Sequence, residues 1–83
     1  PELNQERRAE LTKVARRMAE EARVAIRNVR RDANEHIKNL QKNSKASEDE
    51  RDLGLEHIQK ETDTYTGKID EAVKLKEKDI MAV

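Results

Sequence analysis

Between Ala22 and Asn34 the chain reads ARVAIRNVRRDAN, which sets Arg23, Arg27, Arg30 and Arg31 within nine residues. Asp32 is the one acid in that stretch. Guanidinium groups this close repel one another unless an anion or a partner helix offsets them. The planar fork of arginine matches phosphate oxygens with two parallel hydrogen bonds, which lysine cannot do. Phosphate binding is therefore the chemistry these residue types favour over a merely solvated face. Ion pairs along one helix, such as Glu20 with Arg16 and Arg23, contribute only a few tenths of a kcal/mol each. Tyr65 is the one aromatic residue, so the stacking platforms that read unpaired bases are missing. A rigid element with arginine on one side suits a folded RNA recognised by shape and backbone. Asn28 and Asn34 could add hydrogen bonds to riboses or base edges. Neutralising three to five phosphates implies a log–log salt slope of about −2 to −4.

Other chemistries find no residue set. The chain has no cysteine, which excludes disulfides and thiolate metal sites and makes a reducing cytoplasm the expected location. His36 and His57 lack a matching set of ligands, so no metal or cofactor is expected. No HExxH, Gly-rich phosphate loop or GxSxG occurs, and Tyr65 falls at a core position. An enzyme is not expected. No apolar run approaches the ~18 residues that cross a membrane, so no membrane partner is expected either.

The elements that must carry the arginines are helical. Ala, Glu, Lys, Leu and Arg make up 45 of 83 residues, a proportion typical of long helices and coiled coils. From Leu11 the apolar positions run Val14, Met18, Ala22, Ala25, Val29, Ala33, Ile37 and Leu40, a spacing close to 3.6. This predicts a helix over about 5–43, some 58 Å long at ~1.5 Å per residue, capped by Asn4. Ala15, Ala19 and Ile26 widen its apolar stripe toward a second neighbour. A loop over about 44–47 follows, with Asn43 expected in a left-handed C-cap and Ser47 with Glu50 forming a capping box. A second helix over about 48–81 carries the stripe Leu55, Ile58, Thr62, Tyr65, Ile69, Ala72 or Val73, Lys76 and Ile80, near a 3.5 repeat. Gly67 is expected to mark a close helix contact. So short a connection forces an antiparallel hairpin. The fold class is all-α.

Zero net charge conceals a division. Residues 7–31 hold nine Lys/Arg against three Asp/Glu, and residues 47–80 hold six against eleven. On a helical projection the arginines, together with Arg16 and Asn34, fall about 120–150° from the apolar stripe at ~100° per residue. That places them on the far side from the second helix. The competing reading of the charges is a structural coiled-coil module whose basic face binds an acidic protein.

The run LNQERRAELTKVARRMAEEARVAIRNVRRDAN closely resembles the second long helix of the bacterial ribosome recycling factor family. Its specific parts are ERR at Glu6–Arg8 and ARVAIRNVRRDAN, and SEDE, IQKETD, IDE and KEKDIM resemble the family's last helix. The likeness spans essentially the whole chain. It implies a hairpin within a three-helix bundle, domain I of a two-domain translation factor. The first bundle helix and the small inserted domain II are absent from this sequence. The chain also begins with Pro1, so a fragment, with no more than part of the parent's activity, is expected. The resemblance further implies binding to the large ribosomal subunit through 23S ribosomal RNA, and disassembly of post-termination ribosomes with elongation factor G. Residues implied to touch RNA are Arg27 and Arg30 first, with Arg23 and Arg31 beside them and Arg8 near the bundle's end; Arg16 and Asn34, which the helical projection puts on the same face, complete the set of expected RNA-binding residues. Ala15, Ala19 and Ile26 would receive the absent helix, or a second copy of the chain by self-association.

Overall fold

The computed structural model describes residues 4–82. Two helices, α1 (Gln5–Lys42) and α2 (Glu48–Met81), form an antiparallel hairpin of 63 × 15 × 12 Å. No strand occurs among the described residues.

Local chemistry explains where each helix starts and how α1 ends. Asn4 is extended, and its Oδ1 accepts from the Arg7 backbone N–H at 2.8 Å, relieving one of the unpaired donors of the first turn. Ser47 opens α2 with a reciprocal capping box. Its Oγ accepts from Glu50 N at 3.0 Å, while Ser47 N donates to Glu50 Oε1 at 3.1 Å. Glu48, Asp49 and Glu50 also meet the positive end of the α2 dipole. The end of α1 differs from expectation by one residue. Asn43 stays right-handed (φ −87°), and Ser44 takes the left-handed conformation at φ 58°. Ser44 N donates to Gln41 O and Lys45 N to Leu40 O, the paired bonds of a Schellman cap. The left-handed site is set by that bond pattern, which needs the residue after the cap, so Asn43 is one position early.

Between the helices the seam is shallow. Ala19, 7% exposed, is the one buried apolar residue among the described residues. Two helices alone cover each other on one side only, so most seam residues are half-buried. On α1 the seam runs through Leu11, Ala15, Ala19, Ala22, Ile26, Ala33, Ile37 and Leu40. On α2 it runs through Leu55, Ile58, Thr62, Thr66, Ile69, Val73, Glu77 and Ile80. The α2 steps repeat over eleven residues, near 3.67 per turn, and not over seven. A straight helix drifts ~20° per heptad from a 3.5 stripe, so Tyr65 and Lys76 turn outward and Thr66 and Glu77 turn in.

The same phase difference reverses the expected roles on α1. Ala15, Ala19 and Ile26 pack on α2 and are not the strip left open. The open apolar strip is Val14, Met18, Ala25 and Val29, with Met18 62% and Val29 67% exposed. Tyr65 and Ala72 of α2 border it, and a shallow apolar groove follows this side of the hairpin. The glycines also exchange roles. A Cβ on Gly54 would meet Ile37 Cδ1 at 3.0 Å, whereas one on Gly67 would meet nothing within 4 Å. Gly54, and not Gly67, marks the close approach.

Candidate nucleic-acid interface

Around α1 in cross-section come the open apolar strip, then the seam, then the arginines. The true seam lies about 50° nearer the arginines than the apolar stripe suggested, at ~100° per residue. Two of them therefore fall within reach of α2. Arg16 Nε donates to Glu77 Oε1. Arg23 Nε and Nη2 both reach Asp70 Oδ1, at 2.8 and 2.7 Å. The expectation that the whole basic face turns away from α2 is corrected for these two residues.

The pairs follow a register. Arg16 faces Glu77 and Arg23 faces Asp70, each step being seven residues along one helix and seven back along the other. A third rung would join Arg30 to Asp63, but it is not formed. Asp63 accepts from Gln59 Nε2 at 2.9 Å within α2. The ~20° drift per heptad carries Glu77, Asp70 and Asp63 progressively away from the seam, while it carries Arg30 toward it. Asp63 consequently ends too far round. Arg30 is half-buried, and neither it nor Arg31 has a carboxylate within 4.0 Å among the described residues.

Arg27 is intermediate. Its Nη2 donates to Glu20 Oε1 at 3.0 Å, and no group of α2 reaches it. The other Glu20 oxygen accepts from Arg23 Nη1 at 3.2 Å. Arg27 first, then Arg23, hold the Glu20 carboxyl below its ordinary range. The hydrogen bond that Arg16 donates to Glu77 raises the Arg16 pKa, and the one that Arg23 donates to Asp70 raises that of Arg23, without consequence for groups that stay protonated in any case. Arg8 is 8% exposed at the end of the hairpin, where Nη1 donates to Met81 O at 3.4 Å and Nε has no partner among the described residues. A cation there suits the negative end of the α2 dipole. Asn34 is half-buried, and its Oδ1 is shielded from solvent without a partner among the described residues.

The seven expected site residues thus divide. Arg27, Arg30 and Arg31 share an accessible stretch of α1, with Asn34 one turn beyond. Arg16 and Arg23 are tied to α2, and Arg8 closes the bundle end. Sequence reasoning paired Glu20 with Arg16 and missed its bond to Arg27, two turns away. It also missed Asp70 and Glu77, although each directly follows a position of the predicted α2 stripe, Ile69 and Lys76. No group of residues able to hold a metal ion, and no helix long and apolar enough to cross a membrane, is present among the described residues.

A family profile described as "Ribosome recycling factor" matches residues 1–81. The chain belongs to the ribosome recycling factor family. Curated relatives agree: the ribosome-recycling factors of Bacillus pumilus, Carboxydothermus hydrogenoformans and Bacillus subtilis are each 55% identical to it over 83 residues. Those alignments cover all of this chain and 45% of each relative, so the chain spans about half the length of the factors it matches.

Proposed function

We propose that this chain is the part of a ribosome recycling factor that docks on the large ribosomal subunit, with Arg27, Arg30 and Arg31 of α1 contacting phosphates of 23S ribosomal RNA. The reading is non-enzymatic and cytoplasmic. The parent protein disassembles post-termination ribosomes together with elongation factor G. A single observation carries the assignment of residues: along the paired helices Arg16 and Arg23 are drawn to carboxylates of α2, whereas Arg27, Arg30 and Arg31 are left out of that register. Stiff helices hold these three in fixed relation, which suits an RNA backbone of fixed shape. The open groove through Val14, Met18, Val29 and Tyr65 receives a further helix from the remaining length of the parent, which completes a three-helix bundle.

Co-sedimentation of the Arg27→Ala, Arg30→Ala double variant with large ribosomal subunits tests this. The expected loss of affinity is at least about tenfold, since two phosphate contacts are removed, with helicity by circular dichroism unchanged. Unchanged co-sedimentation would remove the assignment.

A further inference from the structure

Glu20 stands inside the basic face and engages both sides of it. Its Oε1 takes a hydrogen bond from Arg27 and its Oε2 one from Arg23. These two partners are not equivalent. Arg23 already gives Nε and Nη2 to Asp70 and Nη1 to Glu20, so neither of its two-pronged edges is free for a phosphate. Arg27 gives Nη2 alone, and its side chain is 43% exposed. Glu20 is its one protein partner among the described residues. A phosphate approaching Arg27 must therefore displace a carboxylate oxygen at 3.0 Å, or share the guanidinium while lying close to a like charge. Arg30 and Arg31 impose no such exchange.

We infer that Glu20 is a built-in competitor for phosphate: in the free chain it occupies Arg27 and so lowers the standing affinity of the basic face for any polyanion. The inference rests on the RNA-binding reading above and adds a control to the same site. Its physical content is an exchange of one exposed ion pair for another, each contributing little in water. Glu20 keeps Arg23 as a partner after it lets Arg27 go, so its displacement leaves no stranded charge. Random nucleic acid is held less tightly as a result.

Variants of the 83-residue chain test this against a random-sequence duplex RNA at low salt. Glu20→Gln removes the competitor, and affinity is expected to rise roughly two- to fivefold, the range that ~1 kcal/mol or less allows. The salt slope should steepen by up to about one as Arg27 becomes fully available. Glu21→Gln makes the same change in net charge on the opposite flank of α1, where it has no ion pair among the described residues; little change is expected. In an Arg27→Ala background the gain from Glu20→Gln should vanish. An unchanged or reduced affinity in Glu20→Gln overturns the inference, as does a gain that survives Arg27→Ala or is matched by Glu21→Gln. Should Arg27→Ala and Arg30→Ala weaken RNA binding while Glu20→Gln does nothing, the competitor alone falls. Should those arginine variants bind RNA normally, both readings fall.

Discussion

The half of the hairpin near the turn and the half near its open end are held together differently. Near the turn the backbones approach until Gly54 lies against Ile37, with Leu40, Leu55 and Ile58 in the same seam. Toward the open end the α1 side of the seam narrows to Ala15, Ala19 and Ala22, and Arg16–Glu77 and Arg23–Asp70 cross between the helices. Where apolar packing does the holding, the arginines of α1 are left over for something outside. Where packing is thin, they are used internally. One helix therefore carries two populations of arginine that composition cannot tell apart, and only the first suits a ribosomal partner.

The widest gap between the halves is expected in RNA affinity. Replacing Arg30 and Arg31 with alanine should weaken large-subunit binding by at least about tenfold. Replacing Arg16 and Arg23 should cost less than about threefold in binding and lower the melting temperature instead, because exposed ion pairs contribute at most ~1 kcal/mol each. Equal binding losses would erase the distinction. Next come the glycines, read by thermal or urea unfolding. Gly67→Ala fills open space and should stabilise by about 1 kcal/mol, whereas Gly54→Ala must push Ile37 aside and should give back much or all of that gain. A similar gain at both positions would mean that the turn half is no more closely packed than the other.

Smaller still is the effect of Asp63→Glu. One added methylene lets the carboxylate reach toward Arg30 and form the third rung, converting a free arginine to a tied one. RNA affinity should drop by about threefold, within the ~1 kcal/mol of a surface pair, with stability equal or slightly raised. The smallest expected effect is on the acid limb of stability. The fold lowers the Glu20 carboxyl, so its pairs contribute fully above the ordinary carboxylate pKa of about 4.3 and are lost as pH falls through the lowered value. Glu20→Gln should flatten helicity against pH in that acidic window and leave neutral pH almost untouched. An acid limb identical to that of the unsubstituted chain would show that Glu20 does not titrate against Arg27 and Arg23.

What could be read in the sequence was whatever depends on a few neighbours. Asn4 and the Ser47–Glu50 box announce both helix starts, and the hairpin follows from the short connection between them. The phase of the seam was not legible. Apolar residues occupy a broad arc of α1, and a shift of one residue exchanges Ala15, Ala19 and Ile26 with Val14, Met18 and Ala25 between packed and open faces. On α2 a 3.5 stripe and a 3.67 stripe share Leu55, Ile58, Thr62 and Ile69 and part company only at Tyr65 and Lys76. The arginine cluster was visible as a candidate site, but its division required the register between helices, which local spacing does not contain. The same register explains why Asp70 and Glu77 find arginines and Asp63, on the same heptad series, does not.

The central claim is that the uncommitted arginines of α1 meet RNA phosphates, and the salt dependence of large-subunit binding addresses it most directly. Titrations across a series of salt concentrations should give the unsubstituted chain a log–log slope of about −2 to −4, reduced by roughly two units in the Arg27→Ala, Arg30→Ala variant and left nearly unchanged in Arg16→Ala. An equal slope for the unsubstituted chain and the Arg27→Ala, Arg30→Ala variant would contradict the account.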